Sequence, residues 1–420
     1  WTPTALPIRV EEASYIVYHG SGYSRFIHES HEVASELTQF VPWDMPVKIS
    51  ILKIKNNSKV KRNLVVCSYI EWVLGFNRAL MAPTTLTEFD ELTESIFALN
   101  ARSDEYGHKI SFVTMQEKMN SWTCDRTEFM GRNGSLDSPG SLFNRNGFSR
   151  RAGAGFDPCA ALQKQIFLEP GASIELTFFL GQTEDRKSAQ DLVLKLRSLN
   201  LKDVFDEVGR QWGNILSRVT VETPDESMNF MLNRWLLYQT TVCRFWARTG
   251  FYQAGGAFGF RDQLQDVMAL MWTQPHLARE HILRAAGRQF LEGDVQHWWH
   301  PPKGRGVRTH FSDDLLWLPY VVSHYLKTTQ DFSILDVSVS FLEGPTLLPS
   351  QEDSYYTPQV SHKSATLYTH CVRALDYSLK TGTHGLPLMG SGDWNDGMNR
   401  VGHQGKGESV WLAWFLYTNL

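Results

Sequence analysis

Cysteine is scarce in this chain and does not pair. Cys67, Cys124, Cys159, Cys243 and Cys371 are odd in number and widely spaced, and no C-x-x-C occurs. That excludes a visible disulfide framework and points to free thiols in a reducing compartment. Asn56-Asn57-Ser58 and Asn133-Gly134-Ser135 fit the glycosylation triplet, which carries no meaning in such a compartment. Long apolar runs are missing, as is any secretory leader pattern, so no direct membrane segment is expected and a cytoplasmic location is. Positive charge is not in excess: 41 Lys+Arg against 45 Asp+Glu leave a net charge of -4 on 420 residues. Without a basic surface, neither nucleic acid nor anionic lipid is an expected partner.

Aromatic residues are plentiful instead, at 12% of the chain with 14 Trp. Core packing accounts for most such rings; carbohydrate binding is the sharper reading, because sugar faces stack on indoles. The length accommodates two or three domains. The chain opens on Trp1 without an initiator Met, and Val410 to Leu420 is an apolar helical pattern lacking a Gly or Pro stop. The sequence therefore reads as an excerpt of a longer one.

Up to about Thr183 the texture is β. Val47 to Ile51 alternates, Asn56-Asn57-Ser58 turns the chain, and Leu64 to Val73 follows as a second strand. Lys164 to Leu168, a Pro170-Gly171 turn and Ser173 to Leu180 form a hairpin. Such spacing predicts antiparallel sheets stacked as a sandwich over residues 1–185. The Gly/Ser/Asn/Arg-rich stretch Gly131 to Gly155 is a long loop, whose Arg145, Arg150 and Arg151 are either solvated or within reach of a ligand. Residues 186–224 read as a helical linker. From Asp225 to Leu420 helical patterns dominate: Met228 to Phe245, Phe260 to Trp272, Leu277 to Phe290, Asp313 to Lys327, Ala365 to Lys380 and Glu408 onward. No strand pattern is interleaved with them, which excludes a parallel α/β sheet and indicates an α/α toroid or solenoid.

Several motifs fail on inspection. Asp393-Trp394-Asn395-Asp396-Gly397 begins like an EF-hand loop, but its glycine falls one place early and position twelve is Gln404. Gly402-His403-Gln404-Gly405-Lys406-Gly407 lacks P-loop spacing. His297-Trp298-Trp299-His300 could offer two nitrogens, yet no Cys or carboxylate stands at ligand spacing, so no metal site is expected. No serine elbow or Cys/His arrangement is apparent.

Three stretches survive. Arg244 to Gln263 runs from a helix end bearing arginines through a glycine-rich turn to a helix headed by Arg261-Asp262. There Asp262 either caps the helix or accepts sugar hydroxyls, while Arg248 offers a forked donor to an anion. Arg305 to Leu318 is another loop feeding a helix; Ser312 and Asp313 are ordinary cap material, and Asp314 adjoins the apolar run. The third is Gly390-Ser391-Gly392-Asp393-Trp394-Asn395-Asp396-Gly397-Met398-Asn399, with two carboxylates three residues apart around an indole and a carboxamide. An acid, an aromatic platform and an amide in a glycine-flanked loop suit a sugar.

These stretches resemble the inverting β-glucoside phosphorylases of glycoside hydrolase family 94, and the likeness runs nearly end to end. It is closest to the β-1,2-glucan branch, through Gln253 to Asp266 and Gly390 to Arg400. The resemblance implies an N-terminal β-sandwich, a helical linker and an (α/α)6 barrel, of which residues 225–420 supply the first half. It implies Asp396 as the general acid. Asp262, Arg261 and Trp394 would bind the transferred glucosyl unit, with Arg308 and Asp314 also among the substrate-binding residues, and Arg248 would hold phosphate. Asp393 and Asn395 would support the acid loop, a role that also suits Asp314. Cellobiose-type members carry a further arginine where this chain has Gly256 in a shorter turn, which fits a different linkage. The expected partners are a β-glucan oligosaccharide and inorganic phosphate as co-substrate, with no cofactor. Fusion to a membrane glycosyltransferase, which would make the chain the cytoplasmic domain of an inner-membrane synthase, and a homodimer both stay open.

An inverting hydrolase needs a carboxylate base to activate water, whereas phosphate is a competent nucleophile that needs cationic donors opposite the acid. Asp396 must then stay protonated, so burial and the neighbouring Asp393 charge are expected to raise its pKa. Half a toroid is expected to have little or no activity alone. The competing readings are an inverting glucanase and a non-catalytic glucan-holding module.

Overall fold

Alternation with one change of face builds the first sheet. In Val47–Asn56 the side chains of Val47 and Ile49 are buried on one face and, past half-buried Ser50 and Ile51, those of Leu52 and Ile54 on the other, while Lys48, Lys53 and Lys55 face water. In the computed structural model, residues 2–143, 146–246 and 256–420 are described. They fall into two compact units, Trp1–Trp212 and Gly213–Leu420.

The first unit holds strands β1 (Tyr15–Gly20), β2 (Tyr23–Ser30), β3 (Val33–Phe40), β4 (Val47–Asn56), β5 (Arg62–Glu71), β6 (Leu86–Asp90), β7 (Ser95–Leu99), β8 (Ile110–Met115), β9 (Ser121–Asp125), β10 (Pro158–Leu168) and β11 (Ser173–Thr183). An eight-stranded antiparallel sheet runs β1-β2-β3-β4-β11-β8-β7-β6, and a three-stranded one runs β5-β10-β9. Leu52, Ile54, Val113 and Met115 of the larger sheet meet Trp122, Leu162 and Ile166 of the smaller in one core, so the arrangement is a sandwich. The β10–β11 turn places Gly171 at φ 77, a left-handed conformation that glycine adopts without strain.

Helices α1 (Arg186–Ser198) and α2 (Leu201–Leu216) follow. Asp185 caps α1 by accepting from the Ser188 N–H. Rather than forming a free connector, these helices pack on the sandwich. Phe205 lies edge-on to Tyr23 and Phe40 with centroids 5.2 and 5.1 Å away, and Trp212 meets Trp43 at 5.9 Å. The division between the units falls inside α2.

The second unit begins with a helical stretch in which Met231–Trp235 and Thr240–Trp246 are wound as π-helix. Then come α3 (Phe260–Met268), α4 (Pro275–Ala286), α5 (Trp317–Thr329), α6 (Leu367–Ser378) and α7 (Val410–Asn419). Their apolar positions recur at helical spacing, as in Phe260, Leu264 and Val267 or Ala278, Ile282 and Ala285, and close one core. The expectation that no strand is interleaved with these helices is corrected by the structure. Strands β12 (Phe258–Gly259), β13 (Gln296–His300), β14 (Arg305–Thr309) and β16 (Asp353–Tyr356) form a four-stranded sheet, and β15 (Ser338–Glu343) pairs with β17 (Gln359–Thr366). These strands are short, and a bulge between Gln296 and Trp298 breaks the alternation by which a strand is recognised. Every one of these strand pairs is antiparallel, so the helical unit contains no parallel α/β sheet among the described residues.

Candidate active site

Two loops are laced together by backbone. Phe311 forms bridges to Gly390 and Gly392, the Ser312 N–H donates to the Gly392 carbonyl at 3.0 Å, and the Ser391 N–H donates to the His310 carbonyl at 3.2 Å. Glycine is required at 390: its φ is 62, and a Cβ would strike the His310 carbonyl. The lacing sets Asp313-Asp314 beside Asp393-Trp394-Asn395-Asp396.

Asp393 folds the second loop. Its Oδ1 accepts from the Asn395 N–H at 2.9 Å and from Asn395 Nδ2 at 3.3 Å, an Asx-type turn. Its Oδ2 accepts from Ser409 Oγ at 2.6 Å, and Ser409 also caps α7 by accepting from the Leu412 N–H. Asp393 is buried. With Asn395 it therefore shapes the loop.

Arg261 is the centre of the cluster. Its side chain is 6% exposed; Nη1 donates to both Asp313 oxygens at 3.0 and 3.1 Å and to the Asp393 carbonyl at 3.0 Å. Nη2 donates to Asp396 Oδ1. The guanidinium lies against two rings, 5.1 Å from the Trp394 centroid and 5.7 Å from that of Phe311. Three carboxylates, Asp313, Asp314 and Asp396, thus share one guanidinium. Burial, and then the Asp314 charge, hold the Asp313 carboxyl above the ordinary range despite Arg261. Burial works against the Arg261 charge, but Asp313 and Asp314 outweigh it and raise its pKa further.

Asp314 is buried as well. Its Oδ2 accepts from His297 Nδ1 at 2.7 Å, and its Oδ1, 4.0 Å from Arg261 Nε, has no hydrogen-bond partner among the described residues. Burial opposes charging His297, but the Asp314 charge and hydrogen bond prevail and its pKa is raised.

Asp396 stands at the head of the 3-10 turn Asp396–Met398 with its side chain 59% exposed. The expectation of burial is corrected: the buried carboxylate of the loop is Asp393, and Asp396 is exposed with Oδ1 on Arg261. Trp394 is exposed beside it. Asp262, in the first turn of α3, is exposed, and its carboxylate folds back against Gly259 so closely that a Cβ there would collide.

Arg308 is not a sugar ligand in this geometry. All five of its N–H groups are committed inside the protein: Nε and Nη2 to Asp294, Nη2 to Glu292, and Nη1 to the Gly344 and Pro345 carbonyls. Its guanidinium also covers Phe290 at 3.8 Å. Arg248 and Arg145 lie outside the described residues. Asp313, read from sequence as a cap, makes no capping bond; it pairs with Arg261 and accepts from Trp317 Nε1 at 3.2 Å. His297, weighed only as a metal ligand, is the other residue that sequence reasoning missed. Two acids directly before an apolar helical run were the available signal for Asp313.

Residues 1–199 match the model of the Glycosyl hydrolase 94 supersandwich domain, and residues 211–420 that of the Glycosyl hydrolase 94 superfamily catalytic domain. The cyclic beta-(1,2)-glucan synthase NdvB of Rhizobium meliloti (strain 1021) is 43% identical over 99% of this chain and 15% of its own length. Solabiose phosphorylase of Paenibacillus borealis is 28% identical over 99% of this chain and 51% of its own. The 3-O-beta-D-glucopyranosyl-beta-D-glucuronide phosphorylase of the same organism is 26% identical over 98% of this chain and 52% of its own. The chain thus spans about half the length of these phosphorylases and 15% of the synthase.

Proposed function

The chain belongs to glycosyl hydrolase family 94, and from that premise we propose that it carries the acid side of an inverting phosphorolytic site for β-1,2-linked glucan. The product is α-glucose 1-phosphate, formed either by a stand-alone phosphorylase or by a domain that trims chains inside a cyclic glucan synthase. The identity to a synthase of β-1,2-glucan supports the linkage, and the phosphorylase relatives support the reaction class.

The observation that carries the reading is the setting of Asp396. Arg261 anchors Oδ1, Oδ2 makes no hydrogen bond among the described residues, and the exposed Trp394 stands two residues before it in the same loop. One oxygen is fixed and the other is left for a bound pyranose, which supports the acid assignment. Asp262 binds the same glucosyl unit, and Arg248 contributes to the phosphate site. Asp313, Asp314 and Asp393 are buried and committed to Arg261, His297 and Ser409, so none is free to activate water as an inverting hydrolase requires.

The helices of the second unit form the first half of an (α/α)6 barrel, and several further phosphate and acceptor contacts come from the other half. The decisive experiment is phosphate-dependent release of glucose 1-phosphate from β-1,2-glucan by a longer protein containing these residues. Asp396→Asn there abolishes turnover and largely keeps glucan affinity. Turnover surviving that substitution refutes the acid assignment; robust turnover by the 420-residue chain alone refutes the half-barrel reading. Binding with no rate to lose would mark a non-catalytic glucan-holding module.

A further inference from the structure

His297 has no part in the scheme above, yet its surroundings are those of an oriented hydrogen-bonding group. Its Nδ1 is held by Asp314 Oδ2 at 2.7 Å, and a buried carboxylate can only accept, so that nitrogen carries the hydrogen. Nε2 makes no hydrogen bond among the described residues and is not sealed from solvent. The ring tilts against Phe311 at 4.6 Å, the same ring that Arg261 covers from 5.7 Å. Phe311 in turn bridges Gly390 and Gly392 at the root of the acid loop. The imidazole therefore has one end fixed by a carboxylate, one face fixed by an aromatic ring, and its remaining nitrogen unoccupied beside the Asp396 loop.

A histidine that only packs needs no buried carboxylate behind it. Burying Asp314 is costly, and Arg261 Nε at 4.0 Å is too far for a hydrogen bond, so among the described residues the only hydrogen bond its carboxylate makes is with His297. We infer that His297 binds substrate: with Nδ1 committed to Asp314, Nε2 hydrogen-bonds an oxygen of the sugar or of the phosphate bound at Asp396, accepting from a sugar hydroxyl as the neutral ring and donating as the imidazolium. Asp314 is then a positioning residue acting through His297. The titratable and charged groups around the ring are Asp314 of the turn before α5, Arg261 of α3 and Asp396; burial and Arg261 oppose a second ring proton, and the Asp314 charge and hydrogen bond outweigh them. The inference rests on the phosphorolytic reading of the site.

The test is ring-nitrogen NMR on a longer protein containing these residues, labelled at histidine, with His297 assigned through His297→Gln. A β-1,2-linked gluco-oligosaccharide and inorganic phosphate are added in separate titrations, and tryptophan fluorescence reports binding independently. The expected result is Nδ1 protonated throughout, and an Nε2 resonance and ring pKa that move with one of the two ligands, which identifies the partner. His297→Phe, which keeps an aromatic ring against Phe311 without a ring nitrogen, weakens that ligand about tenfold or more, and His297→Gln falls between. Binding with the Nε2 resonance unmoved and His297→Phe at parental affinity overturns the inference alone. Failure of both ligands to bind sinks the phosphorolytic reading and the inference with it.

Discussion

Replacing Arg261 with methionine is the most searching perturbation of the cluster. The side chain is 6% exposed, and its loss leaves Asp313, fully buried, without the cation it bonds through both oxygens. Removing one partner of a buried, hydrogen-bonded pair costs about 3–5 kcal/mol. A domain of 150–250 residues loses about 2–4 °C of Tm per kcal/mol, so the helical unit should melt roughly 10 °C lower. Near-ultraviolet circular dichroism during heating reports it, because Trp317 bonds Asp313 and Trp394 covers Arg261. Adding Asp313→Asn removes the stranded charge, so the double variant should recover much of the loss and give a coupling energy above about 1 kcal/mol. An Arg261→Met protein melting within about 1 °C of its parent, on the scale just used, would refute the reasoning.

Asp313 also sets a pH dependence. Its pKa is raised in the folded state by burial and then by Asp314, so the folded chain keeps a proton that the unfolded chain has released. Stability therefore falls as pH rises from the ordinary carboxylate range toward neutrality, and pH-dependent melts of Asp313→Asn should show that slope flattened. Arg308→Met strands Asp294 and Glu292 and lowers the melting temperature by a similar mechanism, while glucan affinity measured below the melt stays at the parental value; loss of affinity would restore Arg308 as a ligand. Ser409→Ala removes both the α7 cap and the Asp393 bond, costing about 1–2 kcal/mol in urea unfolding and reducing turnover in the longer protein without abolishing it.

The sandwich was legible because its long strands alternate: the hairpin of β10 and β11 around Pro170-Gly171 needs nothing beyond period and turn chemistry. The helices of the second unit were legible from their apolar spacing. β13 and β14 were not, since Trp298 and Trp299 lie on either side of a short, bulged strand and the pattern of five residues fits no template. At the site, the acid loop announced itself by composition, and Asp393 as its support follows from a short Asx turn that is local in sequence. Arg308 misled for the opposite reason. Its partners Glu292, Asp294, Gly344 and Pro345 lie on other segments, and only the folded chain shows that every donor is taken. Asp313 and His297 were hidden because the partner of each, Arg261 for Asp313 and Asp314 for His297, arrives from another segment.

The Ser409 hydroxyl joins two things that are usually separate. It starts a helix and, through Asp393, pins the turn that carries Asp396. The helix and the loop that carries Asp396 therefore share a hinge pin, so a displacement of the start of α7 cannot leave that loop where it was. Trp414 and Tyr417 stand outward on the same helix.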